Sequence, residues 1–215
     1  MYSHSLHSLT EIEHVLKRPG MYVGATFGFS DVKEWLYGDV IEFGEWKCNG
    51  IVRKCIDEVI SNAIDNSISN DHATLIQIDV TSISFSCVND GVHMLCNDTT
   101  SSGINCLEAA FGTLRTSSRF NDKQSTIGTN GIGVKLTNIF SSAFAVHLID
   151  KEGNEKALQW NDNMRCQKEV AVNHDISSGS IYVFSEPDKL ATGPFGDILA
   201  YLPWIKHRCL EASTC

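Results

Sequence analysis

Gly128, Gly131 and Gly133 stand in a G-x-x-G-x-G spacing directly before Val134, Leu136, Ile139 and Phe140, whose apolar pattern predicts a helix. Backbone of this kind can cradle a phosphate. The first N–H groups of a helix lack intrahelical partners, the helix dipole favours an anion there, and glycine lets the chain approach it closely. Lys135 could add a point charge; equally, a glycine-rich turn closes a tight corner and a lysine at its edge is solvated. A second group, Glu58, Asn62, Asp65 and Asn66, has the spacing of one helical face for its first three members. A carboxylate one turn from an amide oxygen suits a base that orients water and an oxygen ligand for Mg²⁺. The same stripe also describes the wet side of an amphipathic helix.

The elements that must hold these groups follow from periodicity. Ile51, Val52, Cys55, Ile56, Val59, Ile60, Ala63, Ile64 and Ile68 recur at helical spacing and predict a long amphipathic helix over about 48–69. Alternation over 74–80 and 82–88 predicts two antiparallel strands, the second running into the turn Asn89-Asp90-Gly91. A short helix is expected over 104–114, then a polar loop over 115–129 with the character of a lid. Strands follow near 143–149, 156–160, 168–172 and 180–185, and a last helix over 195–211, interrupted or kinked at Pro203. Near the N-terminus a helix capped by Thr10 or Ser8 ends at Arg18-Pro19-Gly20, and 17–24 reads as a turn. Residues 25–46 receive no assignment. The order predicts an α+β two-layer sandwich with helices over one face of a mixed, mostly antiparallel sheet, not a doubly wound one.

With 215 residues, 42% of them hydrophobic and only four prolines, one compact domain spanning 1–215 is expected. A net charge of −9 does not build a surface for DNA or an anionic membrane. The first 18 residues have no apolar core of signal-peptide type and no stretch approaches a membrane span, so an intracellular protein without a membrane partner is expected. The eight cysteines form no C-x-x-C pair, which argues against a zinc site or redox dithiol.

Taken together, Asp57-Glu58-Val-Ile-Ser-Asn62-Ala-Ile-Asp65-Asn66, Val88-Asn89-Asp90-Gly91, Thr116-Ser117-Ser118 and Gly128-Thr-Asn-Gly-Ile-Gly-Val-Lys135-Leu-Thr-Asn-Ile-Phe-Ser resemble the ATPase domain of type IIA DNA topoisomerases. That domain has the GHKL, or Bergerat, fold shared with certain chaperones, mismatch-repair proteins and sensor histidine kinases. The runs Lys17-Arg-Pro-Gly-Met-Tyr-Val-Gly24 and Gln159-Trp-Asn-Asp-Asn-Met164 add topoisomerase-specific similarity. The pattern is nearer to the eukaryotic and large-phage enzymes than to gyrase.

The resemblance implies a general base at Glu58, Mg²⁺ held by Asn62, and Asn66 near the nucleotide. It implies an adenine contact at Asn89 beside Gly91, and Ser117, Ser118 and Arg119 at the ribose and phosphates. Gly128, Thr129, Asn130, Gly131, Ile132, Gly133, Val134 and Lys135 would wrap the triphosphate, with Lys135 also serving catalysis, and Ser180 would keep a hydroxyl beneath the adenine. It further implies ATP as substrate, ATP-dependent dimerisation, DNA handled through a longer enzyme or further subunits, and location in the cytoplasm, a host cytoplasm or a nucleus. Transducer and cleavage domains would lie outside this chain. The sequence departs from the family at His93-Met94-Leu95, which follow Asn89 where a glycine and Ile-Pro are usual, so a reshaped turn is expected. Another ATPase of this fold, MutL-like or chaperone-like, or a non-catalytic, nucleotide-dependent dimerisation module are the alternatives; Glu58 favours an enzyme.

Overall fold

The computed structural model describes residues 8–25, 27–69, 73–114, 132–171 and 174–213. The chain runs through α1 (Glu11–Lys17), α2 (Gly20–Val23), β1 (Phe29–Tyr37), β2 (Ile41–Asn49), α3 (Gly50–Ile68), β3 (Ile76–Val80) and β4 (Phe85–Asn89). It continues through α4 (Cys106–Gly112), α5 (Gly133–Ile139), β5 (Ser141–Ile149), β6 (Glu155–Asn161), β7 (Cys166–Glu169), β8 (Ser180–Pro187), α6 (Lys189–Thr192), a 3-10 turn (Ile198–Tyr201) and α7 (Leu202–Ala212). Six strands form one sheet in the order β3-β4-β8-β5-β6-β7, and β1 and β2 form a separate hairpin. Every pairing among the described residues is antiparallel, a simpler sheet than the mixed one expected.

One face of the sheet carries Phe144, Val146 and Leu148 of β5, Val183 of β8 and Cys87 of β4, all buried. Their alternation follows from the period of two along a strand. Against them lies the apolar stripe of α3, from Ile51 to Ile64, together with Leu136, Ile139 and Phe140 of α5. Burying these side chains supplies the main driving force, about 1.5–3 kcal/mol for each large aliphatic or aromatic group removed from water.

Several expectations are corrected. The 17–24 turn contains a helical turn, α2, closed by Gly24 in the left-handed conformation at φ 66, where glycine avoids the Cβ penalty. Residues 25–46 hold most of the hairpin: Trp35 pairs with Phe43 and Val32 with Trp46. Both of its faces carry aromatic and charged groups, so no clean alternation shows. The interruption expected near Pro203 is present, a 3-10 turn preceding α7, with Pro203 in the first turn of α7, the position where its missing N–H costs nothing. The Thr10 cap is confirmed as a capping box with Glu13. Among the described residues no helix is long and apolar enough to cross a membrane, and the seven described cysteines are free.

Asn49 starts the long helix. Its side-chain oxygen accepts from Ile51 N and Val52 N at 3.0 and 3.1 Å, an N-cap that satisfies two orphan donors. Its Nδ2 donates to Thr192 O and Pro194 O at 2.9 and 3.0 Å, and its own N–H donates to the Tyr201 hydroxyl at 2.9 Å. One fully buried amide therefore ties β2 and α3 to the segment leading into α7.

Candidate nucleotide site

Along α3, Glu58 is half-buried, Asn62 exposed and Asn66 half-buried, whereas Asp65 is buried. The open stripe is thus 58, 62, 66, at intervals of four; Asp65 belongs to the packed side, which departs from the expected Glu58, Asn62, Asp65 face.

Helix α5 crosses α3 antiparallel. Thr137 Oγ1 donates to Cys55 O at 3.0 Å, and one turn back along α5 the Cα of Gly133 meets the Glu58 carboxylate. A Cβ at 133 would overlap Glu58 Oε2. Asn138 Nδ2 donates to Phe111 O at 2.9 Å and Ser141 Oγ to Thr137 O at 2.6 Å, so the C-terminal end of α5 is pinned. Behind its C-terminus, Asp162, Asn163 and Met164 all have positive φ, 51, 56 and 68, an uncommon run for non-glycine residues. The run turns Asn163 inward so that its Nδ2 donates to Ile139 O at 2.9 Å and to Asp188 Oδ2 at 3.1 Å. At its other end α5 starts at Gly133, after Ile132 as an N-cap that makes no side-chain capping hydrogen bond.

Glu58 has a cation beside it. Lys54 Nζ stands 2.5 Å from Glu58 Oε1 and 3.4 Å from Asp57 Oδ2. Burial alone would lower the Lys54 pKa, but the hydrogen bond and charge of Glu58, with Asp57, outweigh it and hold the group above its ordinary value. Gly133 and Val134 are half-buried in the first turn of α5. Lys135 is 2% exposed, not a solvated surface lysine, and desolvation lowers its pKa to about 8.

At the far end of α3, Asn66 Nδ2 donates to Asp90 O at 2.9 Å, and Asn89 Nδ2 donates to the same carbonyl at 3.2 Å. With its amide nitrogen so directed, buried Asn89 offers its oxygen as the acceptor. The Asp90 carboxylate locks the turn: it accepts from Thr74 N, Thr74 Oγ1 and Leu75 N at 2.7, 2.7 and 2.9 Å. Gly91 follows at φ 73. Val92 N donates to Gly179 O at 2.9 Å, which brings this turn against the start of β8. Ser180 there is 1% exposed, its hydroxyl 3.0 Å from that of Ser177. Asn89 pairs with Ile181, the next residue. The divergent turn leaves His93 exposed and carries the chain to Cys96, whose N–H donates to buried Asp150 Oδ2 at 3.0 Å.

The structure therefore brings Glu58, Asn62 and Asn66 along one helix, with Gly133 at one end and Asn89, Gly91 and Ser180 at the other. Ser117, Ser118, Arg119, Gly128, Thr129, Asn130 and Gly131, and the expected lid, lie outside the described residues. The ion partner of Glu58 escaped the sequence reading, although the interval of four from Lys54 to Glu58 was a legible signal. The locking role of Asp90 had no such signal, because its partners depend on how β3 begins.

Among the described residues no group of three His, Cys, Asp or Glu could hold a metal. A divalent ion bound mainly by phosphate oxygens and water needs only one protein oxygen, and exposed Asn62, one turn from Glu58, fits that requirement.

No family model matches the chain. It is 30% identical over 202 residues to DNA topoisomerase 2 of Penicillium chrysogenum, a match covering 90% of this chain and 13% of that protein. Among solved structures it resembles the ATPase and transducer domains of DNA topoisomerase II from Balamuthia mandrillaris. The TM-score is 0.85 at 26% identity, over 99% of this chain and 57% of that one. It also resembles the ATPase region of Saccharomyces cerevisiae topoisomerase II, with a TM-score of 0.82 at 26% identity over 96% of this chain and 57% of that one. The chain thus spans only a small part of its full-length relative and over half of each solved ATPase region.

Proposed function

We propose, on the premise that this chain belongs by sequence and fold with the ATPase regions of type II DNA topoisomerases, that it binds ATP with Mg²⁺ and hydrolyses it. In a longer enzyme this cycle would drive dimer closure around DNA. The observation that carries the reading is the meeting of the Glu58 carboxylate with Gly133 at the start of α5, which puts a base beside a helix N-terminus suited to phosphate.

Glu58 Oε1 faces Lys54, and Oε2 is the oxygen nearest Gly133. Oε2 accepts a proton from a water that attacks the γ-phosphorus in line, as the bond to the oxygen bridging the β- and γ-phosphorus breaks. The products are ADP and phosphate. Lys135 and the first N–H groups of α5 face the growing negative charge. Asn62 would hold Mg²⁺ through its side-chain oxygen, and the ion would supply charge neutralisation of the phosphates. Asn89 accepts from the adenine amino group, while Asn66, Gly91 and Ser180 shape that end of the site. Residues 128–131 of the glycine-rich motif would complete the phosphate contacts. A protein that uses ATP and acts on DNA would work inside a cell, or a host cell.

The test is steady-state ATP hydrolysis by the protein carrying this chain with Glu58→Ala. Loss of a general base lowers kcat by about 10²–10⁴-fold with nucleotide affinity kept within a few-fold. Unchanged turnover would remove Glu58 from that role.

A further inference from the structure

The ion pairs around Glu58 continue beyond the site. Asp57, the residue before it, faces α7, where Arg208 Nε donates to Asp57 Oδ1 at 3.0 Å. The same guanidinium donates through Nη1 to Glu211 Oε2 at 2.6 Å. Arg208 and Asp57 side chains are 23% and 21% exposed, so water screens this pair only in part. Charges therefore alternate along Arg208, Asp57, Lys54 and Glu58, linking two elements 151 positions apart in the chain.

Lys54 is shared unequally. It sits closer to Glu58 than to Asp57, and Asp57 has one oxygen already engaged by Arg208. Without the guanidinium, Lys54 would be the cation left within hydrogen-bond reach of Asp57, because Arg53, which also feels the Asp57 charge, is held by Glu34, and the ammonium would move toward it. Glu58 Oε1 would lose its anchor, and the carboxylate could turn away from Gly133. We infer that Arg208 is a positioning residue for Glu58, acting through Asp57 and Lys54, so that the placement of α7 sets how the base faces the cradle.

The seating of α7 suits this role. Trp204 stacks on Trp46 of the hairpin at 6.4 Å between ring centres, and the Arg53 guanidinium of α3 lies 4.8 Å over the Trp204 ring. His207 stacks on Trp35 at 6.5 Å. Hairpin and α7 are thus joined by aromatic contacts, while the Arg208–Asp57 ion pair, with Arg53 over Trp204, joins α7 to the first turns of α3. A shift of the hairpin and α7 against α3 would act on the charge chain directly.

This inference rests on Glu58 being the general base, and the experiment separates the two. ATP hydrolysis, nucleotide affinity and melting temperature are measured for the protein carrying this chain, unsubstituted and with Glu58→Ala, Arg208→Met, Lys54→Met, Arg208→Met with Lys54→Met, and Arg208→Met with Asp57→Asn. Arg208→Met lowers kcat about 3–10-fold, a coupling within the range for residues in one ion network, with KM within about twofold. In the Lys54→Met background it has no further effect. Adding Asn at 57 removes the competing carboxylate and restores kcat. Arg208→Gln, which keeps a donor to Asp57 but no charge, gives the same kcat loss and replaces the methionine variant if that variant melts early. An unchanged kcat, independent multiplication of the Arg208 and Lys54 effects, or a loss confined to KM would overturn the inference while an inactive Glu58→Ala variant kept the base assignment. A fully active Glu58→Ala variant would overturn both.

Discussion

The Glu58 carboxylate lies against the Cα of Gly133, leaving no room for a side chain at 133. The glycine is required here by close approach, since its φ is not in the left-handed region. Gly133→Ala must push the carboxylate aside, and a displacement of about 1 Å at a catalytic group can cost about 10²-fold. The expected result is a kcat lowered by about that factor with the fold retained, read from hydrolysis rates beside circular dichroism. Turnover near the unsubstituted level would show that Glu58 has slack.

Lys135 gives the site a pH dependence. Desolvation lowers its pKa to about 8, so its charge is present below that value and lost as pH rises through it. Affinity for a triphosphate analogue should fall between about pH 7 and 9. A bound triphosphate pulls the pKa back up, and Lys135→Met should bind more weakly at pH 7 with a flatter profile. The unliganded chain behaves oppositely in stability. From about pH 8 to the ordinary lysine value, the unfolded chain retains a proton that the folded chain has released, so this group adds stability as pH rises. Titration calorimetry and thermal melts across that range measure the two effects separately.

Asp150 secures the divergent turn after Asn89. Its carboxylate accepts the Cys96 N–H, the strongest influence, and then groups of Asn154 and the Glu152 N–H, which together lower its pKa to about 2 despite burial. The stability this gives is present above the ordinary carboxylate range and is lost as pH falls from about 4 toward 2. Asp150→Asn should lower Tm at pH 7 by about 2–4 °C and weaken the acid dependence of the melt.

The candidate site was more legible than the β1–β2 hairpin. Glu58 and Asn62 follow from helical spacing and Gly133 from its motif, because both depend on local geometry, whereas Asn66 came only through the family resemblance. The hairpin did not show, since Trp35, Phe43, Val32 and Trp46 place large side chains on both of its faces. The roles of Asn49 and Arg208 depend on partners more than 140 residues away, and nothing in their own neighbourhoods signals them. Asp65 misled for the opposite reason. Its spacing from Glu58 and Asn62 lies near the border between the open and packed sides of α3, and packing against the core decided which side it joined.

The central claim is tested most directly by calorimetric titration of this chain with a non-hydrolysable ATP analogue and Mg²⁺, with Asn89→Ala beside it. The account predicts saturable binding of one analogue per chain, weakened about tenfold by the substitution, the worth of one net hydrogen bond at the upper end of its usual range. Absence of binding, or binding indifferent to Asn89, would contradict a nucleotide site between Asn89 and Gly133.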